Sequence, residues 1–253
     1  MLDKALAAWY TGRRAGVRRV LYRLLRLARL RIIDPLLGQW LYRVDTVKHR
    51  LARSSELDPI LQTIARLHGL ARDEANLETR TIALLNQPAV PLNFSSEYHA
   101  EDALFGFRLH SWEWAWKLLG KRTYEEDLLD LCREWIATVP VGRTPAWEPY
   151  PVSRRLVVWC AARYLLGEVD GLASSIFQHA RYLADHLERD LDNNHLIANA
   201  KALAWVGLLF NHPETACCRE LGLSLLWKAL DEQVRDDGGQ VENASSYHLT
   251  VLI

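Results

Sequence analysis

Cysteine is scarce in this sequence, with four in 253 residues. Two of them, Cys217 and Cys218, are neighbours, which is poor geometry for pairing with each other. A disulfide framework is therefore excluded. No C-x-x-C pair and no His/Cys cluster occurs, so neither a structural metal site nor a cofactor is expected. No apolar run approaches the roughly 18 to 20 residues that span a bilayer. Net charge is missing as well, since 31 Lys+Arg balance 31 Asp+Glu. With 49% hydrophobic residues, a disordered chain is excluded, because such chains are poor in apolar residues and usually carry a large net charge. What remains is one large globular domain or two small ones.

The neutral total conceals a division. Residues 1–53 hold 13 Lys+Arg against 3 Asp+Glu, a balance of +10, and the remainder carries −10. The arginines cluster at Arg13-Arg14 and through Arg18–Arg31, where Val20, Leu24, Leu27 and Leu30 fall near one helical stripe. Arginine interrupts the segment too often for a secretory signal, and no small-residue cleavage site follows. A basic amphipathic helix can lie on an anionic membrane or grip a polyanion. The plainer reading is a helix that covers its own domain and shows its arginines to water. Nucleic-acid binding is not expected, because the charge is confined to one segment and no recognised motif accompanies it.

The rest reads as helices punctuated by Pro, Gly and Asn. Asp34-Pro35 and Asp58-Pro59 resemble an N-cap followed by proline in the first turn, predicting helices over 36–53 and 59–68. A loop or short hairpin is expected over 79–101, where Pro88 and Pro91 forbid helix. Helices follow at 102–119 and 123–138. An irregular stretch carries Pro140, Pro145, Pro149 and Pro151. Three helices with short connections come next, at 152–166, 170–190 and 195–210, then a fourth over 214–235 before Gly238-Gly239. Another helix begins at Ser245. Short connections imply antiparallel pairs, which suit either a solenoid or a closed ring of hairpins; periodicity does not separate the two.

Ten tryptophans are many for this length. Trp112, Trp114 and Trp116 alternate near His110, and Trp147 and Tyr150 lie in the proline-rich stretch. Exposed aromatic rings would stack on sugar faces; buried ones would fill gaps between helices. Asp192, Asn193 and Asn194, just before His195, precede a long apolar helix, so one of the three is expected as its N-cap. The same helix end offers N–H donors and a positive dipole to an anion. Asp237-Gly238-Gly239 turns into a loop carrying Glu242, Tyr247 and His248, either a small polar site or hydrogen bonds at a helix start.

Four segments, in order, resemble the heparinase II/III-like polysaccharide lyases. They are Leu104-Phe105-Gly106-Phe107-Arg108-Leu109-His110; Trp147-Glu148-Pro149-Tyr150-Pro151-Val152-Ser153-Arg154-Arg155-Leu156-Val157; Asn194-His195-Leu196 with Asn199-Ala200-Lys201-Ala202-Leu203; and Asp237-Gly238-Gly239 with Glu242 and Tyr247-His248. The resemblance covers roughly 100–250 and implies an all-α fold, an incomplete α/α toroid of antiparallel hairpins. On this basis 1–75 is a basic helical region and 76–253 a toroid domain truncated at its C-terminal end. In the family a β-sandwich domain follows and completes the cleft, so a separate β-sandwich is an expected partner.

The family's reaction is β-elimination next to a uronic acid, and it implies an acidic polysaccharide, heparan sulfate-like or alginate-like, as the ligand. Removing the C5 proton beside a carboxylate is the hard step, and donors that neutralise that carboxylate stabilise the intermediate. By resemblance Asn194 is the neutralising amide. His195 is a base or second donor, and Tyr247 takes the C5 proton or protonates the leaving oxygen. His110, Trp147, Glu148, Tyr150, Arg154, Glu242 and His248 are implied as substrate-binding or orienting residues. The family often works in the periplasm, whereas the N-terminus does not read as a signal peptide, so both periplasm and cytoplasm stay open. Two other functions remain: a non-catalytic carbohydrate-binding remnant, and a helical scaffold for protein or membrane partners.

Overall fold

The computed structural model describes residues 20–44, 57–68, 73–95, 102–119, 121–167, 171–190 and 194–239. These form α1 (Asp34–Leu41), α2 (Leu57–His68), a small sheet, α3 (Ala103–Ser111), α4 (Glu125–Thr138), α5 (Pro149–Leu166), α6 (Leu172–Asp185), α7 (Asn194–Leu209) and α8 (Pro213–Gln233). The sheet holds β1 (Glu74–Asn76), β2 (Thr81–Ala83) and β3 (Val90–Pro91), antiparallel in that order, with Ala75 opposite Ile82 and Ile82 opposite Val90. The chain is all-α in character, as the sequence implies, and its hairpins stack in two layers. In one, α3 packs on α5 and α5 on α7; in the other, α4 packs on α6 and α6 on α8.

Burial explains which helix lies where. Helices α5 and α7 are buried around nearly their whole circumference: 14 of 18 residues in α5 and 13 of 16 in α7. A helix apolar on all sides belongs inside. By contrast α4 buries a single stripe, Leu128, Leu131, Cys132 and Trp135. Such spacing leaves its other face to water.

Several boundaries differ from the expected ones, each for a local reason. Residues 20–41 run as one helix, so Asp34 is not an N-cap. Its backbone N–H donates five residues back to Arg29, closing a π turn over Arg29–Ile33. That turn absorbs Pro35, which has no N–H to give. The helix expected over 102–119 stops at Ser111, because Trp112 takes a left-handed conformation (φ 62°) before a 3₁₀ turn over Glu113–Lys117. The Trp114 indole N–H then donates to the Leu109 carbonyl at 3.0 Å, which also accepts from the Trp112 backbone N–H at the helix end. Helix α5 starts at Pro149, three residues early, since prolines cost nothing in a first turn. Helix α6 ends at Asp185, five residues short of the expected end, and frees residues 186–190 as a loop.

The N-terminal helix docks on that loop. Tyr22 donates to the Leu187 carbonyl at 2.8 Å, and Arg26 Nη2 lies 2.8 Å from Asp190 Oδ2. Buried Asp34 holds His186 Nε2 at 2.7 Å. Part of the arginine face thus meets acids of the domain instead of water.

Candidate active site

Two inner helices bring their first turns together. Tyr150 is the second residue of α5 and His195 the second of α7, and their rings lie 4.4 Å apart between centroids. Asn199, one turn into α7, donates through Nδ2 to Ser153 Oγ at 2.7 Å, tying the same two turns together. Ser153 in turn donates to the Pro149 carbonyl at 2.7 Å. Two positive helix ends therefore point into one region, an arrangement that favours an anion.

Behind His195 stands Glu188, buried in the loop that follows α6. Its Oε1 is 3.1 Å from His195 Nδ1, and its Oε2 accepts from Asn199 Nδ2 at 3.2 Å. The Glu188 backbone N–H donates to Asn199 Oδ1 at 2.8 Å. Arg26 Nη1 approaches Oε1 at 3.7 Å. Glu148, just before α5, keeps its proton to higher pH than an ordinary carboxyl, through burial and then the neighbouring Glu188 charge, against the pull of Arg26, Arg31 and His195.

On its other side Tyr150 joins a chain of ions. Its ring stacks on Phe107 at 5.6 Å, and the Arg154 guanidinium sits 5.8 Å from its centroid. Arg154 pairs with Glu113, Glu113 with Arg108 at 2.8 Å, and Arg108 with Asp73. Burial raises the Tyr150 phenol above its usual range, although Arg154 and Arg108 pull the other way. The phenol is therefore a proton donor at neutral pH, not a base. Lys201 lines a cavity with Arg154, Ser153 and Trp116. Burial, then Arg154, brings its ammonium down to about 7.

The structure brings Asn194, His195, Glu148, Tyr150 and Arg154 to this end of the hairpins. Asn194 is buried as the first residue of α7. It removes two other expected substrate contacts. Trp147 is 1% exposed and stacks on His179 at 4.3 Å; His110 is 2% exposed and faces the Trp135 indole N–H at 3.0 Å through Nδ1. Neither surface can reach a sugar. Both help enclose the buried Arg155, which donates to the carbonyls of His110 and Ala146 and to His179 Nε2, with its guanidinium 4.0 Å from the Trp135 ring. Among the described residues this guanidinium faces a cage of Trp135, Trp147 and Trp159, a cation–π setting, and no carboxylate. Glu242, Tyr247 and His248 lie outside the described residues.

Sequence reasoning missed Glu188 because the α6 pattern runs through it as one more helical position. Asn199, Lys201 and Arg108 stand in the segments that resemble the family but carry no implied role there, and Glu113 and Arg26 stand in none of those segments. A buried charge whose partner is distant in sequence leaves no local signal.

The model of the family described as "Heparinase II/III N-terminus" matches residues 108–253. Among solved structures, a mutant heparan sulfate lyase HepC from Pedobacter heparinus is similar, with TM-score 0.50 and 16% identity over 99% of this chain and 40% of that one. HepC from the same organism gives TM-score 0.49 and 18% identity, covering 94% and 38%. A structure of heparinase III gives 0.47 and 19%, covering 86% and 37%. The chain thus spans about 40% of the length of these structures. No curated protein matches it.

Proposed function

This chain belongs to the heparinase II/III family through the N-terminal domain that residues 108–253 represent, and from that premise we propose that it is the toroid part of a polysaccharide lyase. Its substrate would be a uronate-containing chain of the heparan sulfate or alginate kind, cleaved by β-elimination. One observation carries the proposal: the joint first turns of α5 and α7, where the His195 and Tyr150 rings meet. There two helix dipoles favour a sugar carboxylate, and Asn194 would hold it. In the reaction a base takes the C5 proton and the electron pair forms the C4–C5 double bond. The C4–oxygen bond breaks, and the leaving oxygen gains a proton. His195 would act as base or second donor, and Tyr247 would receive the C5 proton or protonate the leaving oxygen. Tyr150 and Arg154 would orient the sugar, with Glu148, Glu242 and His248 at the rim.

The test is a rise in ultraviolet absorbance from the unsaturated uronate when the chain meets a panel of acidic polysaccharides. Asn194→Leu is expected to lower kcat by about 10²–10³, the usual effect of removing one donor to a developing oxyanion. Binding without any rise would support a non-catalytic carbohydrate module instead, and absence of binding would support a scaffold.

A second reading concerns the N-terminal helix. Its outer face exposes Leu21, Leu25, Ile32, Leu36 and Trp40, spaced as a stripe, with Arg23 and Arg31 also exposed. An apolar stripe edged by arginine fits the surface of an anionic bilayer.

A further inference from the structure

The hydrogen-bond chain behind His195 has only one consistent direction. The Glu188 backbone N–H can only donate, so Asn199 Oδ1 must accept it, and the Asn199 amide is thereby oriented. Its Nδ2 then faces Glu188 Oε2 and Ser153 Oγ. Ser153 accepts that bond and donates its own hydrogen to the Pro149 carbonyl. Nothing in the chain can reverse without stranding a donor against a donor, a costly outcome for groups this deeply buried. With the Arg26 guanidinium 3.7 Å away, the Glu188 carboxylate acts as acceptor at both oxygens, and His195 Nδ1 must supply the hydrogen between itself and Oε1.

We propose that Glu188 is a positioning residue that fixes neutral His195 as its Nδ1–H tautomer, leaving Nε2 as the bare nitrogen. Free histidine in water favours the proton on the other nitrogen, so the tautomer is imposed by the fold. Its chemical consequence is to choose between two roles for His195. A neutral ring with bare Nε2 accepts a proton there; it offers no N–H to a substrate carboxylate until it has been protonated. Within the lyase reading, on which this consequence rests, His195 is a base and the carboxylate is left to Asn194 and the helix ends. Asn199 and Ser153 support the arrangement from beneath without meeting the sugar.

The substitution Glu188→Gln tests this sharply. Asn199 Nδ2 remains fixed and still requires an acceptor, so the new amide must turn its oxygen to Asn199 and its NH₂ to His195. His195 Nδ1 must then accept, and the ring proton moves to Nε2. Long-range ¹H–¹⁵N NMR on ¹⁵N-histidine-labelled protein, at about pH 8.5 where an ordinary imidazole is neutral, reads the tautomer directly. Loss of the signal in His195→Gln assigns it. The wild-type chain is expected to show the Nδ1–H form and the Glu188→Gln chain the Nε2–H form. An Nε2–H wild type, or the same tautomer in both, would overturn the proposal, and the wild-type spectrum alone decides should the variant fail to fold. If the wild type cleaves polysaccharide, Glu188→Gln should lower kcat by about 10²–10⁴ with little change in KM, the usual penalty of a wrong tautomer at a catalytic imidazole. A wild type with the Nδ1–H tautomer but no turnover would count against the lyase reading and leave this one standing.

Discussion

Lys201 carries a burial cost that Glu113 offsets only in part. Its ammonium comes down from 10.5 to about 7, first by burial and then by repulsion from Arg154, with Glu113 opposing. Below about pH 7 the folded and unfolded chains both hold the proton. Between about 7 and 10.5 only the unfolded chain does, so stability rises with pH across that window. Lys201→Met should stabilise the chain at pH 7 by roughly 1–3 kcal/mol, after allowance for screening at a part-buried site. It should also flatten the pH dependence of stability between 7 and 10. Denaturant titrations at three pH values would measure both, and a destabilised variant would refute the account. The sequence marked Asn194, His195 and Tyr150 because they sit beside a cap or a proline, and such features are local. It misjudged Trp147 and His110, whose neighbours Arg155, Trp135 and His179 come from three different helices.

At the scale of elements, α7 and α8 lie unusually close, because small residues face each other. A Cβ on Gly222 would stand 2.6 Å from the Ala200 carbonyl oxygen and 2.6 Å from the Ala204 nitrogen; one on Gly207 would meet the Thr215 carbonyl oxygen at 2.5 Å. Backbone fills the space beside Gly222, and beside Gly207 it is joined by Arg219 Cβ at 2.2 Å, an atom fixed directly to the backbone. Gly222→Ala must push the helices apart, at a cost of roughly 1–3 kcal/mol by the usual penalty of overpacking. For a chain of this size that is a fall of about 3–10 °C in Tm. An unchanged Tm in thermal unfolding would show that the contact yields freely. Helix existence was legible almost everywhere the structure describes, since a 3.6-residue period is a local property. Helix ends were less so. The stop at Ser111 depends on a left-handed Trp112 stacked on Phe94 at 5.6 Å, and the end of α6 on His186 reaching Asp34. Those contacts join residues far apart along the chain, and the loop they create at 186–190 is what carries Glu188.

For the whole molecule, the charge division seen in the sequence becomes an internal interface. Arg26 and Arg29 spend their charge on Asp190 and Asp185, across more than 150 residues of sequence. The opposite side of the same helix stays apolar and exposed, with Leu36 at 77% and Trp40 at 76%. No helix among the described residues is long and apolar enough to cross a membrane. Co-sedimentation with phosphatidylglycerol vesicles, compared with phosphatidylcholine vesicles, tests the second reading. Leu25→Glu with Leu36→Glu should lower anionic-vesicle binding at least about tenfold, since both charges would enter the apolar boundary. Equal binding by wild type and variant would count against it.

The sequence alone determined that the chain is built of helices joined by short connections over 125–233, because periodicity and proline placement act within a few residues. That Tyr150 and His195 belong to one site came only from the resemblance to a family. Tertiary structure alone decided which aromatics are core, that Arg155 is caged by tryptophans, and that Glu188 stands behind His195. These arise when separate helices exclude water together, and burial sets both the cost of a charge and the identity of the partner that must meet it.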